Sequence, residues 1–150
     1  MDVRREVLLE WLQRYELANF VVERRMSSML RDLMPQELTV DQFKMLRYLR
    51  HTGSCTSTEL AETFCVAKSS ITAIVSKLSD KGLIQRLPER SDRRVINLEL
   101  TEEGGRMCQI MEEQVQQILL GIINHFEMEE ATVFIETYEK LAEELTKSIE

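Results

Sequence analysis

Apolar residues recur along this chain at two spacings, and each spacing predicts a different kind of element. Trp11, Tyr15, Ala18, Val22, Met26, Met29 and Leu33 follow one another in steps of three and four, which draws one apolar line down a helix. The line predicts a helix from about Arg4 to Leu33, near thirty residues long, with no proline before Pro35. A lone helix of that length cannot bury its line within a small domain. It needs partner helices, from its own C-terminus or from a second chain.

Shorter elements follow. Thr39-Val40-Asp41-Gln42 has the form of a capping box and opens a helix to about His51, ended by Gly53, with Phe43, Leu46 and Leu49 on its buried side. Thr56-Ser57-Thr58-Glu59 is a second capping box, opening a helix to about Phe64 that turns Leu60 and Ala61 inward. After a brief turn, Lys68 to Gly82 reads as a third helix with two unlike faces. Ile71, Ile74, Val75 and Leu78 form an apolar anchor, and Ser69, Thr72, Ala73 and Ser76 form a small, hydroxyl-rich face flanked by Lys68 and Lys77. Short side chains let a backbone sit close to another surface, where hydroxyls bond phosphates and base edges and a methyl touches thymine. The pattern suits a major-groove reading helix, and it also suits a plain Ser/Thr-rich surface helix. The two short helices joined by a turn to this one form a helix-turn-helix.

Beyond Gly82 the period falls to two. Leu83 to Leu87 and Val95 to Leu100 predict two strands around the segment PERSDRR, a β-hairpin whose tip carries Arg90, Arg93 and Arg94. Such a tip is commonly just solvated. Placed after a helix-turn-helix it also fits a wing, whose guanidinium groups suit the negative potential of a minor groove.

Charge changes the picture because it is segregated. The chain has 150 residues and a net charge of −7, which by itself argues against a polyanionic partner. Between Lys68 and Arg94, however, seven bases (Lys68, Lys77, Lys81, Arg86, Arg90, Arg93, Arg94) face three acids (Asp80, Glu89, Asp92), a local charge of +4, whereas Thr101 to Glu150 carries −9. A local basic patch governs contact with nucleic acid, and the acidic remainder limits indiscriminate binding. The charged N-terminal segment is neither a signal sequence nor a spanning helix and no later apolar run is long enough to span a bilayer, so we expect a cytoplasmic protein with no membrane partner. Cys55, Cys65 and Cys108, spaced by 10 and 43, match neither a disulfide framework nor a zinc pattern, and read as buried or half-buried thiols.

The runs Glu59-Leu60-Ala61, VAKSSIT (66–72), LSDKGLIQR (78–86), Asp92-Arg93-Arg94 and LELTEEG (98–104) resemble the multiple-antibiotic-resistance regulator (MarR) family of bacterial winged-helix transcription factors. The Asp-x-Arg wing and the following strand ending Leu-Thr-x-x-Gly are its most specific parts, and the element order agrees along essentially the whole chain. The resemblance implies a mostly α fold with a small β-hairpin wing: a winged helix-turn-helix over 39–101 and helical dimerisation regions over 1–34 and 102–150. It implies a homodimer on a pseudo-palindromic double-stranded DNA operator, usually a repressor released by a small ligand or by thiol oxidation. By position, Lys68, Ser69, Ser70, Thr72, Ala73, Ser76 and Lys77 would meet the major groove and Arg90, Arg93 and Arg94 would serve the wing. Arg86 would pair structurally with a nearby acid, Asp92 being the candidate. Two departures matter: Ala67 stands where a serine often caps the recognition helix, and Ala73 where a larger polar or basic side chain is usual. They leave open a helical protein-interaction module, and an activator or a non-specific architectural DNA binder is a further alternative.

The C-terminal third carries two more apolar lines, Met107, Met111, Val115, Ile118, Ile122 and Phe126, then, after a break near Glu127, Phe134, Tyr138, Leu141, Leu145 and Ile149. They suit packing against the first helix or sharing with a twofold mate, and long lined helices at both ends of a small central domain favour the dimer. Metal sensing finds no support in His51 and His125, which lie in no i, i+4 pair with each other or with a cysteine. Peroxide-sensing members of the family use a cysteine in the first helix. This chain has none before Cys55, which leaves Cys65, ahead of the recognition helix, as the redox candidate. Met26, Met29, Met107 and Met111 suit core packing, or an effector pocket. Neither a GxSxG, Walker A or HExxH motif nor a glycine-rich dinucleotide turn is present, so neither an enzyme nor a cofactor is expected.

Overall fold

The structure is a computed structural model that describes residues 3–148. The elements are α1 (Val3–Leu33), α2 (Val40–Thr52), α3 (Ser57–Phe64), α4 (Lys68–Asp80), β1 (Ile84–Pro88), β2 (Ile96–Leu100), α5 (Glu102–Ile123) and α6 (Met128–Lys147). The described residues fall into two compact units, divided between Glu112 and Glu113.

In the first unit both expected capping boxes are made. Thr39 Oγ1 accepts the Gln42 amide at 3.2 Å while Gln42 Oε1 accepts the Thr39 amide at 3.2 Å. Thr56 Oγ1 accepts the Glu59 amide at 3.2 Å and Glu59 Oε2 the Thr56 amide at 2.7 Å. These bonds satisfy amides that a helix start leaves without intrahelical partners. Helix α4 ends in the motif its sequence calls for: the Gly82 amide reaches back to the Ser79 carbonyl and the Leu83 amide to the Leu78 carbonyl, with Gly82 at φ +72. Helix α3 closes with the same pair of bonds, from the Cys65 amide to Glu62 and the Val66 amide to Ala61, but here a non-glycine residue, Cys65, takes the left-handed position at φ 53.

The core lies where α2, α3 and α4 pack on one another and on the hairpin. Phe43, Met45, Leu46 and Leu49 of α2, Leu60 of α3, Ile71, Val75 and Leu78 of α4, and Leu98 of β2 are at most 2% exposed. Each such side chain contributes about 1.5–3 kcal/mol through burial. Ile74, expected in this set, is only half-buried. The hairpin pairs antiparallel, with Ile84 opposite Leu100, Arg86 opposite Leu98 and Pro88 opposite Ile96. Cys55 adds a bridge to its edge, exchanging both backbone hydrogen bonds with Leu98 at 3.2 and 2.8 Å.

Helix α1 differs from the single lined helix expected. Trp11, Tyr15 and Val22 are exposed and Met26, Met29 and Leu33 half-buried. Leu9, Leu17 and Phe20, also exposed, lie on the opposite side, with exposed Val21 on the flank between, and Arg24 covers the Phe20 ring at 5.3 Å. The N-terminal part of α1 is thus apolar on two sides.

The second unit holds the end of α5 and all of α6, which starts from a capping box between Glu127 and Glu130. Phe134 and Tyr138 stack with centroids 5.4 Å apart, and both are exposed, as are Val133, Ile135 and Leu145. Ile149, expected in this line, lies outside the described residues.

Candidate nucleic-acid interface

Helix α4 presents a surface because its other side is anchored. Ile71, Val75 and Leu78 are 1%, 2% and 0% exposed, and a helix tied down on that side must turn the opposite residues outward. Lys68, Ser69, Ser70, Thr72, Ala73 and Lys77 are all exposed. Ala67, the N-cap residue, makes no side-chain cap bond, and its carbonyl accepts the Ser70 amide at 3.0 Å. The Thr72 hydroxyl donates back to the Lys68 carbonyl at 3.0 Å, so toward an outside partner it offers lone pairs and a methyl.

Ser76 is placed differently from its neighbours. It is half-buried, and its Oγ accepts from Arg86 Nη2 at 3.3 Å. Arg86 Nη1 donates to Ser79 Oγ at 3.1 Å, and Ser79 in turn donates to the Ile84 carbonyl at 3.4 Å. This corrects the expected Arg86–Asp92 pair. Ser76 and Ser79 stand three apart on the side of α4 that faces β1, within reach of a strand residue, whereas Asp92 sits at the far tip of the hairpin.

At that tip Asp92 organises Arg94. Asp92 Oδ1 accepts the Arg94 amide at 3.0 Å and Nε at 3.1 Å, and Oδ2 accepts Nη2 at 3.2 Å. The Arg94 side chain, followed by its backbone amide, holds the Asp92 carboxyl below the usual carboxylate range. The Arg94 side chain remains 91% exposed, so the pairing orients a guanidinium that solvent, or a partner, still reaches. Arg90 and Arg93 are exposed beside it. The base of the tip is closed by the Glu89 backbone amide on the Val95 carbonyl at 2.8 Å and by the Asn97 side-chain Nδ2, which donates to the Glu89 carboxylate.

Four residues support this surface through contacts that local sequence did not announce. Gly104, which the sequence marked only as the last residue of the LELTEEG run, is buried, and a Cβ on it would collide with the Leu83 carbonyl oxygen. Beside it Thr101 donates to the Gly82 carbonyl at 2.6 Å and accepts the Gly104 amide at 3.1 Å, tying the start of α5 to the end of α4. Gln42, buried, and Glu112, also buried, complete the set. Glu112 is met by Arg47 Nε at 3.4 Å, by His51 Nε2 at 2.9 Å and by Arg50. The spacing of Arg47, Arg50 and His51, three and four apart on one helix, was the available signal for it.

The thiols divide in a way their spacing did not announce. Cys55 and Cys108 are buried, and burial raises both, Cys108 to about 11 with the Glu112 carboxylate adding to the effect. Cys65 is exposed, contrary to the reading of all three as buried or half-buried. Of the four methionines of the suggested pocket, Met111 is buried, Met26 and Met29 are half-buried, and Met107 lines a cleft of about 250 Å³ with Glu37, Leu38, Lys81, Leu83 and Glu103. Among the described residues no three His, Cys, Asp or Glu side chains converge as metal ligands would, and no helix is long and apolar enough to cross a membrane.

Comparison with known proteins agrees with this architecture. The MarR family model matches residues 38–96. The HTH-type transcriptional regulator YpoP of Bacillus subtilis (strain 168) is 30% identical over 112 residues, 75% of this chain and 79% of that protein. A MarR family protein from Bacillus stearothermophilus superposes with a TM-score of 0.74 at 29% identity, over 97% of this chain and 99% of that one. A mutant MarR from E. coli complexed with operator DNA shares the fold, with a TM-score of 0.73 at 23% identity over 94% of this chain and 99% of that one. The anchored α4, the arginine-tipped hairpin and these likenesses identify the chain as a member of the MarR family of transcriptional regulators, a regulator and not an enzyme.

Proposed function

We propose that the protein is a dimeric, sequence-specific DNA-binding repressor, relieved by a small ligand. The observation that carries the DNA-binding reading is the pairing of α4, whose Ser69, Thr72 and Ala73 are exposed opposite the buried Ile71, Val75 and Leu78, with Arg94 held outward by Asp92 on the adjacent hairpin. In this reading Lys68, Ser69, Ser70, Thr72, Ala73 and Lys77 enter the major groove, with Ser76 contributing only alongside Arg86, and Arg90, Arg93 and Arg94 lie along the minor groove. The exposed apolar residues of α1, and separately those of α6, support a twofold mate, since such large apolar side chains left open on a helix mark a surface that a partner covers. Two recognition helices would then sit about one DNA turn, roughly 34 Å, apart on a pseudo-palindromic operator.

Fluorescence anisotropy tests this reading. The purified protein is titrated onto DNA from upstream of its own gene and onto a scrambled control, between 50 and 200 mM salt. Tight binding to the upstream DNA alone, weakening by about 10³ or more over that range as six or more phosphate contacts require, supports it. Equal binding to both sequences favours an architectural protein, and no binding to either at 50 mM favours a protein-interaction module. A monomer in sedimentation at micromolar concentration would rule out the twofold mate.

A further inference from the structure

Lys81 counts among the seven bases of the basic segment and is exposed, yet its ammonium is bonded to acceptors of the protein itself. It caps the C-terminus of α4, and its ammonium donates to the Glu37 carbonyl and, at 3.0 Å, to Oε1 of Gln42. Gln42 is 4% exposed, and that same Oε1 accepts the Thr39 amide in the capping box of α2. One amide oxygen therefore serves both the start of α2 and the end of α4, and the Glu37 carbonyl adds the corner between α1 and α2. The corner is anchored by Leu38, 5% exposed, and turned by the Leu38 amide on the Pro35 carbonyl at 3.1 Å. Open clefts flank it, one of about 560 Å³ lined by Ser27, Arg31, Met34 and Lys44, the other of about 250 Å³ that includes Lys81. Across the second cleft the Lys81 bonds add a directional link from this corner to α4.

The geometry points to Lys81 as a positioning residue for DNA binding, locking the exit of the recognition helix to the α1–α2 corner rather than contacting phosphate. The assignment rests on the DNA-binding reading above. Its consequence is that a displacement of the corner is transmitted to α4 through two hydrogen bonds.

A phosphate contact and a tether differ in their response to salt. Removing a phosphate contact lowers the slope of log affinity against log salt by about 0.9 per contact, whereas loosening a tether lowers affinity equally at every salt concentration. We expect Lys81→Met to weaken operator binding roughly three- to tenfold with the slope unchanged, the scale of one lost hydrogen bond. Gln42→Met should weaken it similarly, the double variant should be no worse than the weaker single one, and Gln42→Glu, which keeps an acceptor for both the Thr39 amide and Lys81, should bind as the parent does. A lowered slope in Lys81→Met, additive losses, or unchanged affinity would overturn the assignment. If the parent protein binds no DNA at 50 mM, the DNA-binding reading fails, and the tether is read by hydrogen exchange instead. Faster exchange of the Thr39 and Leu83 amides in Lys81→Met supports it, and unchanged exchange overturns it.

Discussion

The carboxylate of Glu112 lies 2.9 Å from the imidazole Nε2 of His51, and this contact is one arm of a clamp that holds α5 to α2. Glu112 is 4% exposed and is shared with Arg47 and Arg50, while its three partners reach solvent to different degrees. A buried acid so surrounded stabilises only while its counter-charges are present. Glu112→Ala, which removes the acid and leaves three bases gathered without it, should cost about 1–3 kcal/mol, discounted from the fully buried case because the bases are partly hydrated. Urea unfolding followed by circular dichroism measures it. His51→Ala, whose side chain is 64% exposed, should cost less, and an equal or larger loss would show that the imidazole is the principal arm.

The wing predicts a pH response. Asp92 is held below the ordinary carboxylate range by Arg94, so its contribution is fully present above that range and is lost only as pH falls through the lowered value. Carbon-detected NMR titration should therefore find the Asp92 carboxyl titrating below the ordinary aspartate range, and Arg94→Ala should raise it back toward that range. The same variant should lose about tenfold or more in operator affinity, as for the loss of a groove-reading arginine. A protein-interaction module would lose nothing.

Two adjacent glycines should respond to alanine with opposite signs. A methyl on Gly105 meets nothing within 4 Å, and helix propensity then favours Gly105→Ala by up to about 1 kcal/mol. A methyl on Gly104 runs into the Leu83 backbone carbonyl, which already accepts the Thr101 amide, so Gly104→Ala should destabilise by about 1–3 kcal/mol. Thermal unfolding of the two variants side by side checks this.

Thiol reactivity should be confined to one residue. At pH 8 a thiol raised to about 11 is ionised to about one part in a thousand, and Cys108 is buried besides. Cys55 is also buried, with its thiol raised by burial. Iodoacetamide on the native protein should add one carbamidomethyl group per chain, at Cys65, by peptide mass spectrometry. Labelling of Cys108 at a comparable rate would mean that α5 opens in solution.

The capping boxes at Thr39 and Thr56 and the helix end at Gly82 were legible because each depends on residues three to five apart in one segment, whose geometry the backbone dictates alone. The two faces of α4 and the alternation of the hairpin were legible for the same reason, since periodicity reports which side is buried without reporting against what. Pairings between elements were not. Gln42 and Lys81 stand 39 residues apart, Arg50 and Glu112 stand 62, and no local pattern marks either pair. Arg86 shows the limit most directly: Asp92, six residues on, was the expected partner by charge, but the strand carries Arg86 alongside α4, where two serine hydroxyls are within reach. Local composition thus determined the elements and their faces, because backbone hydrogen bonding and burial periodicity act over a few residues. Which charges meet, which thiol is covered and which glycine must remain a glycine were decided by the approach of elements distant in sequence, because contacts of a few ångströms depend on how those elements pack.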